Sequence, residues 1–144
     1  MFYNFKKINI PAIISGLTID LILSLLAGVV YALVILFNRS NGNISVLLND
    51  YKFTEKIIYT YPYYVHIYVL SSFCSIVGGY VTSKIAKHNI YLNLFIYCII
   101  SLAISILIIN TGIKNNLQIL LYIISAFSPI FGGLIWKIFS KTKL

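Results

Sequence analysis

The chain has 144 residues, of which 60% are hydrophobic, 15% aromatic and only 10% charged, and its formal net charge is +8. A water-soluble domain carries about a quarter of its residues as charged side chains, so this composition excludes an ordinary soluble globule and predicts an integral membrane protein. Contact of the lysines with anionic lipid headgroups explains the positive charge. No basic surface interleaved with aromatic residues is predicted, so we expect the lipid bilayer as a partner and no nucleic acid.

Four tracts with almost no ionisable side chains divide the chain, and each exceeds the ~20 helical residues that cross the hydrocarbon core of a bilayer. A charge at the bilayer centre costs at least ~2.5 kcal/mol, so tracts of this kind mark transmembrane helices. The sequence therefore predicts an all-α fold, an integral membrane four-helix bundle in a single membrane domain. Its spans are predicted over about 11–37, 62–83, 90–109 and 117–139.

The first span follows Lys6 and Lys7, and Pro11 fits its first turn, where a missing N–H is tolerated. Its apolar run continues far beyond the ~7 to 15 residues of a signal-peptide core and lacks a small-residue cleavage site. We therefore expect a retained signal anchor rather than a cleaved leader. Asp20 is the only ionisable side chain within this span.

The segment 38–56 is the one sizeable loop and is predicted to lie outside the cell. The second span follows it, with Pro62 in the first turn. Tyrosines crowd the outer end of this span, as an interfacial aromatic belt requires, and Trp136 marks the opposite interface. An alternative use of the tyrosines is stacking on a sugar or a lipid headgroup. The tyrosines are Tyr59, Tyr61, Tyr63, Tyr64 and Tyr68.

Asn89 is placed to cap the third span, and a turn-rich break that contains Gly112 and Lys114 separates the third span from the fourth. An even number of spans puts both termini on one side of the membrane. Seven lysines fall on that side against four basic residues on the other, so both termini are predicted to be cytoplasmic. The abundance of Ile, Asn, Lys, Tyr and Phe is typical of an AT-rich genome and favours a bacterial inner membrane.

Small and polar residues recur at every fourth position on three of the spans. In lipid the hydrophobic effect does not drive helices together, so association depends on close backbone approach and on interhelical hydrogen bonds. We therefore predict that these rows face the bundle interior. The rows are Gly16, Asp20, Ser24 and Gly28; Ser71, Ser75 and Gly79; and Asn93, Tyr97, Ser101 and Ser105. The predicted helix-packing residues are Gly16, Ser24, Gly28, Ser75, Gly78, Gly79, Gly132 and Gly133.

A shift of 54 residues aligns the second span with the fourth and gives six identities in the seventeen positions 71–87. A duplication would produce two hairpins related by an axis along the membrane normal. The alternative is chance, combined with a shared tendency of spans to end with glycine and lysine. The shift pairs Ser71, Phe73, Ile76, Gly78, Gly79 and Lys87 with Ser125, Phe127, Ile130, Gly132, Gly133 and Lys141.

This pattern resembles a loose group of small, uncharacterised bacterial inner-membrane proteins of four helices. In that group a Gly-Gly pair lies near the inner end of the second and fourth spans. The resemblance covers about residues 14–138 and rests on Gly16, Asp20, Gly28 and the segments 76–80 and 131–133. It implies the four-helix architecture and no activity.

Asp20 is the strongest candidate for chemistry, because it lies ~13 Å below the inner surface, too deep for its short side chain to reach water. One hypothesis is that it binds and releases a proton or cation during transport by an oligomer. A lone acid in the first helix has this role in small four-helix multidrug exporters, although this chain is longer and has Asp where that family has Glu. The other hypothesis is that Asp20 bonds to neighbouring helices and holds them together. Groups at matching depth are Ser75, Tyr97, Cys98 and Ser128.

The other reactive side chains are given structural roles. His66 lies about one turn below the outer surface, where we expect a hydrogen-bonded interfacial histidine rather than a proton site. Cys74 and Cys98 lie inside spans, where we expect small apolar side chains without a disulfide. No phosphate loop, metal-ligand spacing or Ser/His/Asp set can be assembled, so we expect no enzyme, no cofactor and no metal site.

The predicted function is that of a small polytopic membrane protein with a structural or accessory role, alone, as a homo-oligomer or in a larger membrane complex. The alternative is a proton- or cation-coupled small-molecule transporter that acts as an oligomer around Asp20. Four helices enclose little room for a substrate path, so transport would require self-association. An accessory role would instead require a stable complex with another membrane protein.

Overall fold

The computed structural model describes residues 8–39, 63–109 and 116–141, and every regular element within these ranges is a helix. The predicted all-helical fold is confirmed for this part of the chain. Lys6, Lys7, Pro62, the predicted outer loop from residue 40 and the predicted break at 110–115 lie outside the described residues. The helices are α1 (Ile10–Arg39), α2 (Tyr63–Ala86), α3 (Ile90–Ile109), α4 (Asn116–Phe127) and α5 (Pro129–Lys141).

Three of the helices are long and apolar enough to cross a membrane, by length and composition. The third of them is formed by α4 and α5 together. The helix α3 is also apolar, over the stretch Ile90–Ile106, which is shorter than the other three. This content is that of a helical membrane bundle. The three long stretches are Ile10–Ile35, Val65–Ala86 and Ile119–Lys141.

Helix α1 begins with a side-chain cap. The Oδ1 atom of Asn9 accepts a hydrogen bond from the backbone N–H of Ala12 at 3.1 Å, which satisfies a donor that the first turn leaves free. Pro11 is the second helical residue, where its missing N–H costs nothing. The helix extends one residue before and two residues beyond the predicted 11–37 span, because neither end carries a residue that excludes the helical conformation.

A three-residue turn joins α2 to α3 and makes them antiparallel neighbours. Lys87 and Asn89 both lie in the left-handed region, with φ of 52° and 49°. Asn89 caps α3 through its backbone carbonyl, which accepts from the N–H groups of Leu92 at 3.0 Å and Asn93 at 3.2 Å. The fully buried side chain of Asn93 accepts from the N–H of Asn9 at 2.8 Å and donates to the Asn89 carbonyl at 3.1 Å. Asn93 therefore ties the start of α1 to this turn.

The fourth predicted span, 117–139, is formed by two consecutive helices, α4 and α5, rather than by one. A turn at Ser128 separates α4 from α5, because Pro129 has no N–H to donate and disfavours the helical conformation of the residue before it. The N–H of Ser128 contacts the carbonyls of both Ile124 (3.1 Å) and Ser125 (3.2 Å), so the carbonyl that Pro129 leaves free still has a partner. The Ser128 hydroxyl also donates to the Ile124 carbonyl at 2.9 Å.

Helix α2 is the centre of the bundle and packs against every other described helix, whereas α1 does not pack extensively against α4 or α5. The crossing of α1 and α2 is a backbone contact between two glycines. A Cβ on Gly16 would lie 2.7 Å from the carbonyl oxygen of Gly78, and a Cβ on Gly78 would lie 2.8 Å from that of Gly16. Such distances leave no room for a methyl group, so both glycines are required at this crossing.

The other three glycines of the two Gly-Gly pairs, Gly79, Gly132 and Gly133, pack on other faces. A Cβ on Gly79 would collide with the backbone of Pro129, and one on Gly132 would collide with the Ile76 carbonyl. A Cβ on Gly133 would collide with the Leu94 side chain of α3. At Gly28, in contrast, nothing among the described residues lies within 4 Å, so the predicted packing role has no partner there.

Candidate functional site

The carboxylate of Asp20 lies inside the bundle and is only 8% exposed. Its Oδ2 atom accepts hydrogen bonds from the hydroxyls of Ser75 on α2, at 2.9 Å, and Tyr97 on α3, at 2.7 Å. Its Oδ1 atom accepts from Ser24, one turn along α1, at 3.2 Å. One carboxylate thus joins three helices, and all three donors are neutral hydroxyls.

The glycine contact between α1 and α2 makes this arrangement possible. A Cβ on Gly78 would lie 2.5 Å from the Tyr97 hydroxyl and 3.1 Å from the Cβ of Asp20. On the other side of the crossing, a Cβ on Gly16 would lie 3.1 Å from the Tyr97 ring. The Tyr97 hydroxyl therefore reaches Asp20 through the space that the two missing side chains leave.

The hydrogen bonds leave the carboxylate incompletely satisfied if it is ionised. An ionised carboxylate offers about four lone-pair sites, and three are used, two at Oδ2 and one at Oδ1. The remaining site belongs to Oδ1, the atom bonded to Ser24. The donors stabilise the negative charge, whereas burial away from water disfavours it.

Asp20, Ser24 and Ser75 border a cavity of about 220 Å³ between α1, α2, α3 and α4. Its polar wall is almost entirely hydroxyl groups, and its apolar wall is aliphatic. The cavity is open to the surroundings of the bundle rather than sealed. The remaining polar lining consists of Ser71, Ser101, Ser105, Ser125, Tyr68 and Tyr122, and the aliphatic lining of Leu17, Leu21, Ile67 and Ile104.

The polar row on α3 extends from the end of the bundle where α1 begins to the cavity. Asn93 lies at the end where α1 begins, Tyr97 lies at the level of Asp20, and Ser101 and Ser105 border the cavity. Of the groups expected at the depth of Asp20, Ser75 and Tyr97 donate to it. Ser128 instead bonds to its own helix. Cys98 is a buried free thiol, as is Cys74, with no disulfide between them.

Sequence reasoning missed the contribution of α4 to the cavity and assigned Tyr68 to an interfacial belt only. Tyr68 packs edge-on against Tyr122 with ring centroids 4.6 Å apart, and Ser125 donates to Ser71 at 3.4 Å. Both pairs are 54 residues apart, and the serines are matched by the shift that aligns the second and fourth spans. That shift is the signal that could have brought α4 to the cavity.

His66 is hydrogen-bonded rather than isolated. Its Nδ1 atom lies 2.6 Å from the Tyr31 hydroxyl, and the two rings are perpendicular with centroids 5.9 Å apart. Tyr31 is eleven residues along α1 from Asp20, or ~16 Å at 1.5 Å per residue. This contact therefore joins α1 and α2 at a second level, separate from the Asp20 site. Within the described ranges, no group of three His, Cys, Asp or Glu residues could hold a metal ion.

No protein-family model, curated protein or solved structure matches this chain. The resemblance to small bacterial four-helix proteins therefore stays a prediction. The chemistry of the site is therefore defined by its own components, which are a buried acid, a set of hydroxyl donors and an adjoining cavity.

Proposed function

We propose that the chain is a four-span inner-membrane bundle with both termini in the cytoplasm and a structural or accessory role in the membrane. The observation that carries this proposal is the Asp20 carboxylate, which bonds to hydroxyls of α2 and α3. Its role in this account is to hold three spans together. The presence of bonded partners on two other helices favours this role over that of a free acid on one helix.

The length of α3 supports the fourth span. Its 20 residues cover ~30 Å at 1.5 Å per residue, which equals the thickness of the hydrocarbon core. The outward-facing side chains of α3, such as Phe95 and Ile99, are apolar and more than half exposed. Its polar residues Asn93 and Tyr97 are fully buried in the bundle. This distribution suits a helix with one face in lipid.

The contacts at one end of the bundle support the cytoplasmic assignment of both termini. Lys137 on α5 donates to the Tyr91 hydroxyl at 2.9 Å and lies 4.9 Å from the centre of its ring. Next to Lys137 on α5, Trp136 packs edge-on against Tyr80 of α2 with centroids 5.6 Å apart. Lysine with amphipathic aromatic rings is the composition of a cytoplasmic membrane interface.

The second candidate function is proton- or cation-coupled transport by an oligomer, and the cavity beside Asp20 favours it. In this case Asp20 would exchange its proton for a ligand in the cavity. An intramembrane acid that borders a cavity is a candidate of this kind by default. The two functions differ in what they require of Asp20, since one needs its hydrogen bonds and the other needs its charge.

One set of variants separates these functions. For a structural role we expect Tyr97→Phe to lower the free energy of unfolding in detergent by about 0.6 to 1.7 kcal/mol, the range of interhelical hydrogen bonds in membranes. Tyr80→Phe is the matched control, because it removes a tyrosine hydroxyl on α2 away from Asp20 and keeps the ring that packs against Trp136. Equal effects of the two variants would contradict the structural role of Asp20.

Asp20→Asn keeps the size of the side chain and removes its charge. Its unfolding, its mass in gentle detergent and its proton flux after reconstitution into vesicles with a pH-sensitive dye are measured together. The structural role is supported if assembly is weakened. Unchanged assembly with a loss of flux would support transport instead. The mass of the extracted wild-type particle shows whether the chain is a monomer, a self-associated oligomer or part of a larger complex.

A further inference from the structure

We propose that the hydroxyl-lined cavity beside Asp20 is a binding site for a small monovalent alkylammonium cation. The juxtaposition that carries this inference is one buried carboxylate, two tyrosine rings and an aliphatic wall around the same space. It goes beyond the structural role proposed above and rests only on the helix packing that forms the cavity. It does not require transport.

The charge of the cavity lining favours a ligand with a single positive charge. Among the described residues that line the cavity, Asp20 is the only carboxylate and no Lys, Arg or His is present, so one monovalent cation neutralises it. A bound divalent cation would leave one positive charge uncompensated in a low-dielectric site, which is strongly unfavourable. The unused lone pair of Oδ1, beside Ser24, is the position where the carboxylate can meet a bound cation.

The rest of the lining distinguishes an alkylated ammonium from a metal ion. Tyr68 and Tyr122 meet edge-to-face at the cavity, and aromatic rings attract ammonium groups through cation–π interactions. The aliphatic side chains, among them Leu21 and Ile104, contact methyl or methylene groups without loss. An alkali ion would meet the hydroxyl oxygens of the lining but would gain nothing from the apolar wall, so sodium is the competitor that the test must include.

The volume limits the size of the ligand. The cavity of about 220 Å³ equals the space of roughly seven water molecules at ~30 Å³ each. It falls below the range of about 300 to 1,000 Å³ that holds drug-sized ligands. The site therefore fits a cation of a few carbon atoms.

The test uses the full chain in lipid nanodiscs, titrated calorimetrically with tetramethylammonium chloride in a sodium chloride buffer of constant total chloride. We expect saturable binding, weakened at least tenfold by Asp20→Asn and about fivefold by Tyr122→Leu. Phe131→Leu is the matched aromatic control, because this residue is 61% exposed on α5 and does not border the cavity. We expect its affinity to equal that of the wild type.

A further variant separates binding from folding. Ser101→Leu places extra side-chain volume in the cavity, so binding should be abolished while the thermal unfolding midpoint is unchanged or raised. The proposal is overturned if the wild type shows no saturable binding, if sodium competes at equal affinity, or if Tyr122→Leu behaves like Phe131→Leu. A failure of these titrations with a normal effect of Tyr97→Phe on unfolding would leave the structural role standing. Saturable binding, together with no effect of Tyr97→Phe on unfolding, would overturn the structural role alone.

Discussion

The residue that most constrains the candidate site is Gly78, which makes no polar side-chain contact itself. Its lack of a side chain lets the Tyr97 hydroxyl approach Asp20 and lets the backbones of α1 and α2 touch at Gly16. Because backbone atoms on both sides are fixed by helical hydrogen bonds, an added methyl group cannot be absorbed by a rotamer change. The polar cluster and the helix crossing therefore depend on one missing Cβ.

We expect Gly78→Ala to lower the free energy of unfolding by about 1 to 3 kcal/mol, the usual cost of overpacking. The added Cβ would lie 2.8 Å from the Gly16 carbonyl oxygen and 2.5 Å from the Tyr97 hydroxyl, so α1 must move away from α2. The measurement is denaturant unfolding in mixed micelles, followed by circular dichroism.

Gly28→Ala is the control for this variant, because it adds the same methyl group to α1 at a site where none of the described residues lies within 4 Å. There we expect no destabilisation beyond ~0.5 kcal/mol, and a small gain from the better helix propensity of alanine. A Gly78→Ala protein as stable as the Gly28→Ala protein would show that the α1–α2 crossing is not as tight as described.

At the scale of the helices, the break between α4 and α5 determines how the last span meets α2. The turn at Ser128 brings the backbone of Pro129 against Gly79. Beyond the break, Gly132 meets the Ile76 carbonyl. The two Gly-Gly pairs thus have different partners, since Gly78 faces α1 whereas Gly132 faces α2.

The break is attributed to the proline, so restoring the backbone N–H should remove it. For Pro129→Ala we expect a continuous helix, with slower hydrogen exchange of the amides of Ser128, Ile130 and Phe131 than in the wild type. Proline in a helix interior costs ~3 kcal/mol relative to alanine, so protection should rise clearly. Unchanged exchange would mean that packing against Gly79, rather than the proline ring, sets the bend.

Much of this fold follows from the charge pattern, and the physical reason is the cost of a charge in hydrocarbon. The limits of α3 agree with the predicted 90–109 span, and the all-helical content is confirmed. The break at Ser128 was missed because Pro129 lies in an apolar tract, where hydropathy carries no conformational signal. The hydroxyl wall supplied by Tyr122 and Ser125 was missed because hydropathy does not determine the rotation of α4 about its axis.

The candidate site, like the fold, follows only in part from the sequence. A repeat of four residues along one helix indicates which side chains share a face, and it linked Asp20 with Ser24 and Ser71 with Ser75. Which of these faces meet, and at what depth, depends on the helix crossings. Tyr97 of α3 reaches Asp20 because of the Gly16–Gly78 contact between α1 and α2. This arrangement of three helices follows from no local sequence pattern.

At the scale of the whole molecule, α2 and the α4–α5 pair run in the same direction and touch at positions 54 residues apart. The Ser125 hydroxyl donates to Ser71, and Tyr68 packs on Tyr122. Matched residues meet in this way at an axis along the membrane normal, as duplication predicts. The unequal partners of Gly78 and Gly132 and the break at Ser128 do not follow that symmetry. Duplication therefore stays a prediction.

The central claim is that α3 crosses the membrane and brings Tyr97 to Asp20 within a four-span bundle. Membrane-impermeant thiol labelling tests it most directly, with single cysteines introduced as Asn89→Cys and Asn115→Cys into a chain whose Cys74 and Cys98 are replaced by alanine. In intact cells stripped of their outer envelope, we expect labelling at position 115 and, at position 89, labelling only after permeabilisation. Labelling of both positions from the same side would contradict the account, because α3 would then not cross the bilayer.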